Sequence, residues 1–104
     1  MRGICWGKTI HSANDKLADI KLAYHLTGVK PKVEKKEINR TYIEFDNGDI
    51  WYSLVPSEHT RGYKANISYV DVNINANLVY TVIENTTTAL PYNAIQYFIP
   101  SEEK

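Results

Sequence analysis

The chain has 104 residues, which is enough for one domain with a single modest core. Its 12 basic and 12 acidic residues cancel, so net charge alone does not favour binding to nucleic acid or to a membrane surface. Cys5 is the single cysteine, which excludes an intrachain disulfide, and no apolar run approaches the ~20 residues that a membrane-spanning helix needs. We therefore predict one domain over 1–104, with an ordered core over 1–100, a frayed tail over 101–104 and no membrane partner.

The first third of the chain predicts a strand followed by a helix. Residues 4–10 form a short apolar run that is typical of a strand. The next apolar residues recur at three- and four-residue spacing and predict an amphipathic helix: Ala13, Leu17, Ile20 and Tyr24. Side chains suited to cap the start of this helix are those of His11, Ser12 and Asn14. Gly28 favours an end just past the last turn.

A basic segment over residues 30–36 follows the helix. Its cations are Lys30, Lys32, Lys35 and Lys36. We interpret this segment as a solvated loop or a sheet edge, and a patch that contacts phosphate groups is the alternative.

The middle of the chain predicts a β-hairpin and a loop. Apolar and polar residues alternate over 41–45 and 50–54, and Asn47-Gly48 lies between the two runs, where both residues tolerate positive φ. Pro56 ends the second strand, and a polar loop over 57–64 follows. A small basic and aromatic group in this loop is a candidate contact for phosphate or a partner protein: Arg61, Gly62, Tyr63 and Lys64. The alternative is that the glycine supplies a turn and the arginine is solvated.

The last third predicts strand, helix and strand. Residues 65–72 indicate a buried strand that carries Asp71 near its end, and the apolar residues between Ile74 and Ile83 predict a helix capped by Asn73 or Asn75. Residues 94–99 predict a final strand, because Pro100 follows them. This order predicts an α/β fold with a small, mostly parallel sheet, an antiparallel hairpin and two main helices.

Gly7-Lys8-Thr9 is the one phosphate-binding pattern in the chain. A full P-loop has four residues between its first glycine and the Gly-Lys pair, whereas Gly3 leaves three, and only Met1 and Arg2 precede it where a buried strand is required. The pattern therefore favours a strand that leads into the next helix. The three histidines lie far apart and predict no metal site.

The order of these motifs resembles the RecA-like ATPase core of the large terminase subunit of tailed phages. The matching features, over nearly the whole chain, are the strand and helix over 3–23, the turn at 46–48, the Arg61-Gly62 pair, the strand that ends in Asp71, the helix over 74–84 and the last strand. The resemblance implies a truncated, degenerate RecA/P-loop-like core. It also implies that Asp71 would hold the magnesium ion of a bound nucleotide, with Lys8 and Thr9 as the other nucleotide candidates.

The departures from the family argue against catalysis. The family places a second acid directly after the first, where it positions the attacking water, and here that residue is Val72. We therefore lean towards a non-enzymatic protein without a cofactor, and ATP with magnesium is the alternative.

These observations lead to one functional hypothesis and two alternatives. The hypothesis is a phage-type protein in the cytoplasm of a bacterial host cell, which binds a host or phage protein, or itself as a homodimer, as a decoy, inhibitor or assembly factor. A sheet edge left open where a core strand is missing would be its docking surface. The first alternative is a nucleic-acid-binding fragment of a packaging motor that uses residues 30–36 and 61–64 on one side. The second is a nucleotide-binding ATPase domain.

Overall fold

The computed structural model describes residues 1–87 and 94–100, and six strands in this part of the chain form one mixed sheet. The elements run in the order β1 (Arg2–Trp6), α1 (Ile10–Leu26), β2 (Pro31–Lys36), β3 (Thr41–Phe45), β4 (Ile50–Leu54), a 3₁₀ turn (Glu58–Thr60), β5 (Ile67–Asp71), α2 (Ala76–Leu78), a π-helical segment (Val79–Ile83), α3 (Glu84–Thr87) and β6 (Ala94–Phe98). Residues 76–87 are one continuous helical stretch, which we call the α2–α3 segment.

The sheet has the strand order β2-β3-β4-β1-β5-β6. The pairs β4–β1, β1–β5 and β5–β6 are parallel, and β3 is antiparallel to both β2 and β4. The predicted α/β fold, with a mostly parallel sheet, an antiparallel hairpin and two main helices, is therefore confirmed. None of the helices in the described residues is long and apolar enough to cross a membrane.

The core has two layers because the helices cover opposite faces of the sheet. On the α1 side, Leu17 packs with buried residues of the central strands and the hairpin: Cys5, Ile43, Phe45 and Trp51. On the other side, Val79, Val82 and Ile83 of the α2–α3 segment pack on Trp6 and Val70, among others. Strand β1 lies between the two layers, which explains why its residues after Arg2 are buried without alternation.

The turn between β1 and α1 corrects the predicted strand end and helix cap. The strand ends at Trp6 rather than at residue 10, and α1 begins at Ile10. The N-cap is Thr9, whose hydroxyl accepts from the backbone N–H of Ser12 at 3.1 Å, rather than His11, Ser12 or Asn14. The turn brings the backbone of Thr9 and Ala13 so close to Gly7 that a β-carbon there would collide with both, and the position therefore requires glycine.

Two other predicted boundaries can be placed. The basic segment 30–36 takes the form of a sheet edge, since β2 pairs with β3 at one end of the sheet. The second helix begins one residue after Asn75, whose side chain accepts from the backbone N–H of Asn77 at 2.7 Å. Of the two predicted caps, Asn75 is therefore the one used. The predicted tail over 101–104 lies outside the described residues.

Candidate functional site

Asp71 lies where the carboxyl ends of β1 and β5 meet. Its Oδ2 accepts from the backbone N–H of Lys8 at 3.0 Å and from the hydroxyl of Ser12 at 2.9 Å. Its Oδ1 accepts from the backbone N–H of Asn73 at 2.8 Å. The residue is only 1% exposed. Oδ2 therefore joins the end of β5 to the start of α1, and Oδ1 holds the turn after β5, so a metal ion would have to displace these bonds.

The sequence candidates Lys8 and Thr9 lie beside Asp71, but in different roles. Lys8 contributes its backbone N–H to the carboxylate, and its side chain is exposed. Thr9 uses its hydroxyl as the cap of α1. The structure thus brings the three nucleotide candidates together. Their hydrogen bonds stabilise the turn from β1 to α1. Their role in nucleotide binding stays a prediction.

A cleft of about 330 Å³ opens near this junction, on the side of the α2–α3 segment. Its walls come from the ends of three neighbouring strands and the start of α2: Lys8, Val55, Pro56, Asn73, Ile74, Asn75 and Leu78. The carboxyl ends of parallel strands are the usual ligand side of an open α/β sheet. Of the three nucleotide candidates, Lys8 lines this cleft, and Asp71 and Thr9 do not.

The lysines of β2 do not form one patch. All four candidates, Lys30, Lys32, Lys35 and Lys36, are exposed. Lys36 lies opposite Thr41 and lines a cleft under α1, whereas its neighbour Lys35 lies opposite Tyr42 and points to the other face of the strand.

The second candidate contact group is largely engaged within the protein. Arg61 forms an ion pair with Glu58 at 3.2 Å. The hydroxyl of Tyr63 accepts from Arg40 at 3.0 Å, and its ring packs edge-on against Tyr52. Gly62 and Lys64 are exposed in the same loop. The loop lies on the α2–α3 side of the sheet, the side that Lys35 faces, whereas Lys36 is on the opposite side, so a ligand that contacts both the loop and Lys36 would have to pass around the sheet edge.

The described residues offer little for metal or nucleophilic chemistry. They include no group of three or more His, Cys, Asp or Glu side chains placed to hold a metal ion. Burial raises the pKa of the Cys5 thiol far above its ordinary value. A thiol that stays protonated in the core is a poor nucleophile.

The two edges of the sheet differ in chemistry. The β2 edge carries Pro31 and three lysines, which are the features that discourage pairing with another strand. Strand β6 pairs with β5 on one side only, and no other strand of the described residues pairs with its outer side. Its sequence, Ala-Ile-Gln-Tyr-Phe, has no charge and no proline. Within the strand Tyr97 is 60% exposed, and just after it Ile99 is 81% exposed.

Sequence reasoning missed one group of polar residues under α1. Thr41 and Ser53 occupy inward positions of the hairpin, where the alternation predicts apolar side chains, and they lie opposite each other. Together with Asn14 of α1 they hold buried polar atoms that have no hydrogen-bond partner among the described residues. The signal that could have found them is a hydroxyl residue at an inward position of a strand.

Comparison with known proteins gives matches in structure alone. No protein-family model matches the sequence, and no curated protein matches it. The large terminase of a thermophilic bacteriophage has a similar structure, with a TM-score of 0.64, 16% identity, and coverage of 94% of this chain and 25% of the terminase chain. The same terminase in complex with ADP gives a TM-score of 0.62 and 17% identity, over 95% of this chain and 25% of that one. Its complex with ATP-γ-S gives a TM-score of 0.52 and 19% identity, over 95% of this chain and 24% of the terminase chain.

The likeness at these identities concerns the fold. This chain spans about a quarter of the length of the terminase chains that it matches. The resemblance inferred from the order of the sequence motifs is confirmed at that level, since nearly the whole chain superposes on a part of the phage protein. The chain therefore shares its fold with one part of a phage large terminase.

Proposed function

We propose that this protein acts without catalysis, by pairing the open edge of β6 with a strand of another polypeptide. The observation that carries the proposal is the difference between the two sheet edges: β2 has lysines and a proline, and β6 has neither. An uncharged edge presents unpaired N–H and C=O groups that can extend the sheet into a partner.

The partner that best fits this edge is a second copy of the chain. If two β6 strands pair antiparallel about a two-fold axis at Gln96, Ile95 of one copy lies opposite Tyr97 of the other. In the same register Ala94 lies opposite Phe98. Each pair places a small or branched side chain against an aromatic ring, which is a favourable cross-strand combination. The pairing brings no charges together.

The arrangement at Asp71 supports a role without ATP hydrolysis. The carboxylate is buried and accepts three hydrogen bonds from the turns around it. The next residue, Val72, is 47% exposed and has no acid function. The proposal therefore assigns Asp71 to the fold rather than to chemistry.

The biological setting of the proposal rests on the likeness to a phage large terminase. In this setting the protein is a phage-type assembly factor, inhibitor or decoy in the cytoplasm of a bacterial host cell. A host or phage protein would then compete with the second copy for the same edge.

The test is the oligomeric state of edge variants, measured by size-exclusion chromatography with light scattering. The wild-type protein is expected to be a dimer. Gln96→Lys places two cations against each other at the two-fold axis and is expected to give a folded monomer. Asn39→Lys introduces the same charge in the turn before β3, far from β6, and is expected to leave the dimer intact.

Two outcomes would contradict the proposal. A wild-type protein that stays monomeric at high micromolar concentration excludes the second copy as the partner. A Gln96→Lys variant that remains dimeric shows that the chains associate through another surface.

A further inference from the structure

A second cleft, of about 220 Å³, lies between α1, β2 and β3 on the opposite face of the sheet from the α2–α3 segment. The apolar part of its walls comes from Leu17, Ala18 and Ile43, and the other lining residues are polar or charged. None of the nucleotide candidates from the sequence, Lys8, Thr9 and Asp71, lines it. The cleft is therefore separate from both the junction at Asp71 and the β6 edge.

The inner end of this cleft holds polar atoms without partners. Thr41 lines the cleft and is 5% exposed, and no described residue forms a hydrogen bond with its hydroxyl. Asn14 lines it from α1, and its Oδ1 is buried and also unpartnered among the described residues. Buried polar groups of native proteins are nearly always hydrogen-bonded, so two such atoms in one cleft point to a ligand that satisfies them.

The mouth of the cleft is basic. Lys21 pairs with Glu34 at 3.0 Å, which links α1 to β2 and leaves no net charge. Lys36 also lines the cleft and has no ion-pair partner among the described residues. The mouth therefore carries one uncompensated positive charge, at a side chain that can reach a phosphate group.

We propose that this cleft binds a nucleobase, with the attached phosphate at Lys36. The apolar faces of a base match the lining from Leu17, Ala18 and Ile43, and its edge offers a donor to the oxygen of Asn14 beside an acceptor for the hydroxyl of Thr41. A purely apolar ligand would leave the two polar atoms unpartnered. A bare phosphate would leave the apolar walls uncovered.

The same chemistry has two sources, a free nucleotide and an unstacked base of a single strand. The probes are therefore AMP, CMP, GMP and UMP, the four matching nucleosides, and a short single-stranded oligonucleotide of mixed sequence. Binding is followed in the full chain by two-dimensional NMR of the backbone amides, with a thermal melt of each variant. An oligonucleotide that binds at least about tenfold more tightly than every mononucleotide identifies a strand as the source, and equal affinities identify the free nucleotide.

Thr41→Val is the central variant because it removes the hydroxyl and keeps the shape. The expected result is loss of at least about tenfold in affinity, with a melting temperature equal to or above that of the wild type, since an unpartnered buried hydroxyl is replaced by a methyl group. Lys36→Gln is expected to lower the affinity for nucleotides and to leave the affinity for nucleosides unchanged. Lys35→Gln, on the other face of β2, is the matched control and is expected to bind like the wild type.

Each contrary result overturns the proposal. One contrary result is that no probe shifts the amide signals around Thr41 at millimolar concentration. The others are that Thr41→Val binds the probes as the wild type does, or that the shifted amides lie on another surface. A melting temperature that falls in Thr41→Val shows that the hydroxyl is already bonded inside the protein, which removes the basis of the inference.

Discussion

Among single residues, Asp71 has the densest set of contacts at the carboxyl end of the sheet. Its two oxygens receive hydrogen bonds from Lys8, Ser12 and Asn73, which belong to two different turns. The same carboxylate therefore fixes where α1 starts and how the chain leaves β5. An acid at the end of an apolar strand is therefore explained by these structural hydrogen bonds, without a metal ion.

Asp71→Asn tests the structural task directly. The amide NH₂ replaces one carboxylate oxygen and so faces at least one hydrogen-bond donor, and we expect the free energy of unfolding to fall by about 1–3 kcal/mol. Urea denaturation followed by circular dichroism measures the change. Asp46→Asn, at an exposed position in the hairpin turn, is the matched control and is expected to have little effect. Equal stabilities for both variants would show that the carboxylate is replaceable.

Tyr24 is the residue with the clearest link between pH and stability. Its hydroxyl donates to Asp49 Oδ2 at 2.6 Å and accepts from Trp51 Nε1 at 3.0 Å. Burial, and then the bond to Asp49, raise the pKa of Tyr24 from 10.0 to about 12. The folded protein thus holds the proton more tightly than the unfolded chain, so this contribution to stability is present below pH 10 and is lost as the pH rises towards 12.

Tyr24→Phe removes that titration and keeps the ring. We expect the variant to be less stable than the wild type at neutral pH, and to lose less stability than the wild type between pH 10 and 12. Urea midpoints over this range measure the difference, which cancels the titration of the other tyrosines. Parallel curves for the two proteins would contradict the assigned pKa shift.

Among the elements, the start of α1 is set by a reciprocal cap. The hydroxyl of Thr9 accepts from Ser12 N, and the hydroxyl of Ser12 lies 3.4 Å from Thr9 N. We expect Thr9→Ala to lower the free energy of unfolding by about 1 kcal/mol, because such caps are typically worth that much. His11→Ala, at the cap position that the sequence suggested, is expected to cost less than half of this. Thermal or urea unfolding of the two variants decides, and a larger loss in His11→Ala would contradict the cap.

The elements also show how far the sequence predicts this fold. Periodicity places α1 and the hairpin, because each has one apolar face that must be buried, and a short apolar run places β5 as a buried strand. It leaves β2 ambiguous, since its lysines are compatible with a loop as well as with an edge strand. It also misses the cap at Thr9, which depends on how closely Gly7 approaches α1, a tertiary contact.

The candidate sites are less predictable than the elements. The resemblance groups Lys8, Thr9 and Asp71 as nucleotide candidates, and the pairing of β1 with β5 makes them neighbours. The sequence gives no sign that Lys36 lies on the α1 face of the sheet, whereas Lys35 and the loop around Arg61 lie on the opposite face. The cleft at Thr41 depends on the gap between α1 and the hairpin, which no local pattern encodes.

For the whole molecule, the proposed pairing makes the difference between the two edges decide how many copies can join. If β6 is the one open edge of the described strands, the proposal limits association to a closed dimer, because a two-fold contact uses the same surface on both copies. A second open edge at the far end of the sheet would let each chain bind two neighbours. The lysines of β2 therefore have an explanation at this scale that does not require a ligand.

The last prediction converts that edge. Lys32→Thr combined with Lys35→Thr removes two charges from β2 and spares Lys36, which lines the cleft under α1. We expect this double variant to form chains longer than the dimer, in proportion to concentration, as seen by light scattering. Adding Gln96→Lys closes the β6 edge and is expected to return the assembly to pairs joined through β2. If the double variant elutes like the wild type, the charges of β2 do not protect that edge, and Pro31 or the irregular pairing between Pro31 and Val33 must do so instead.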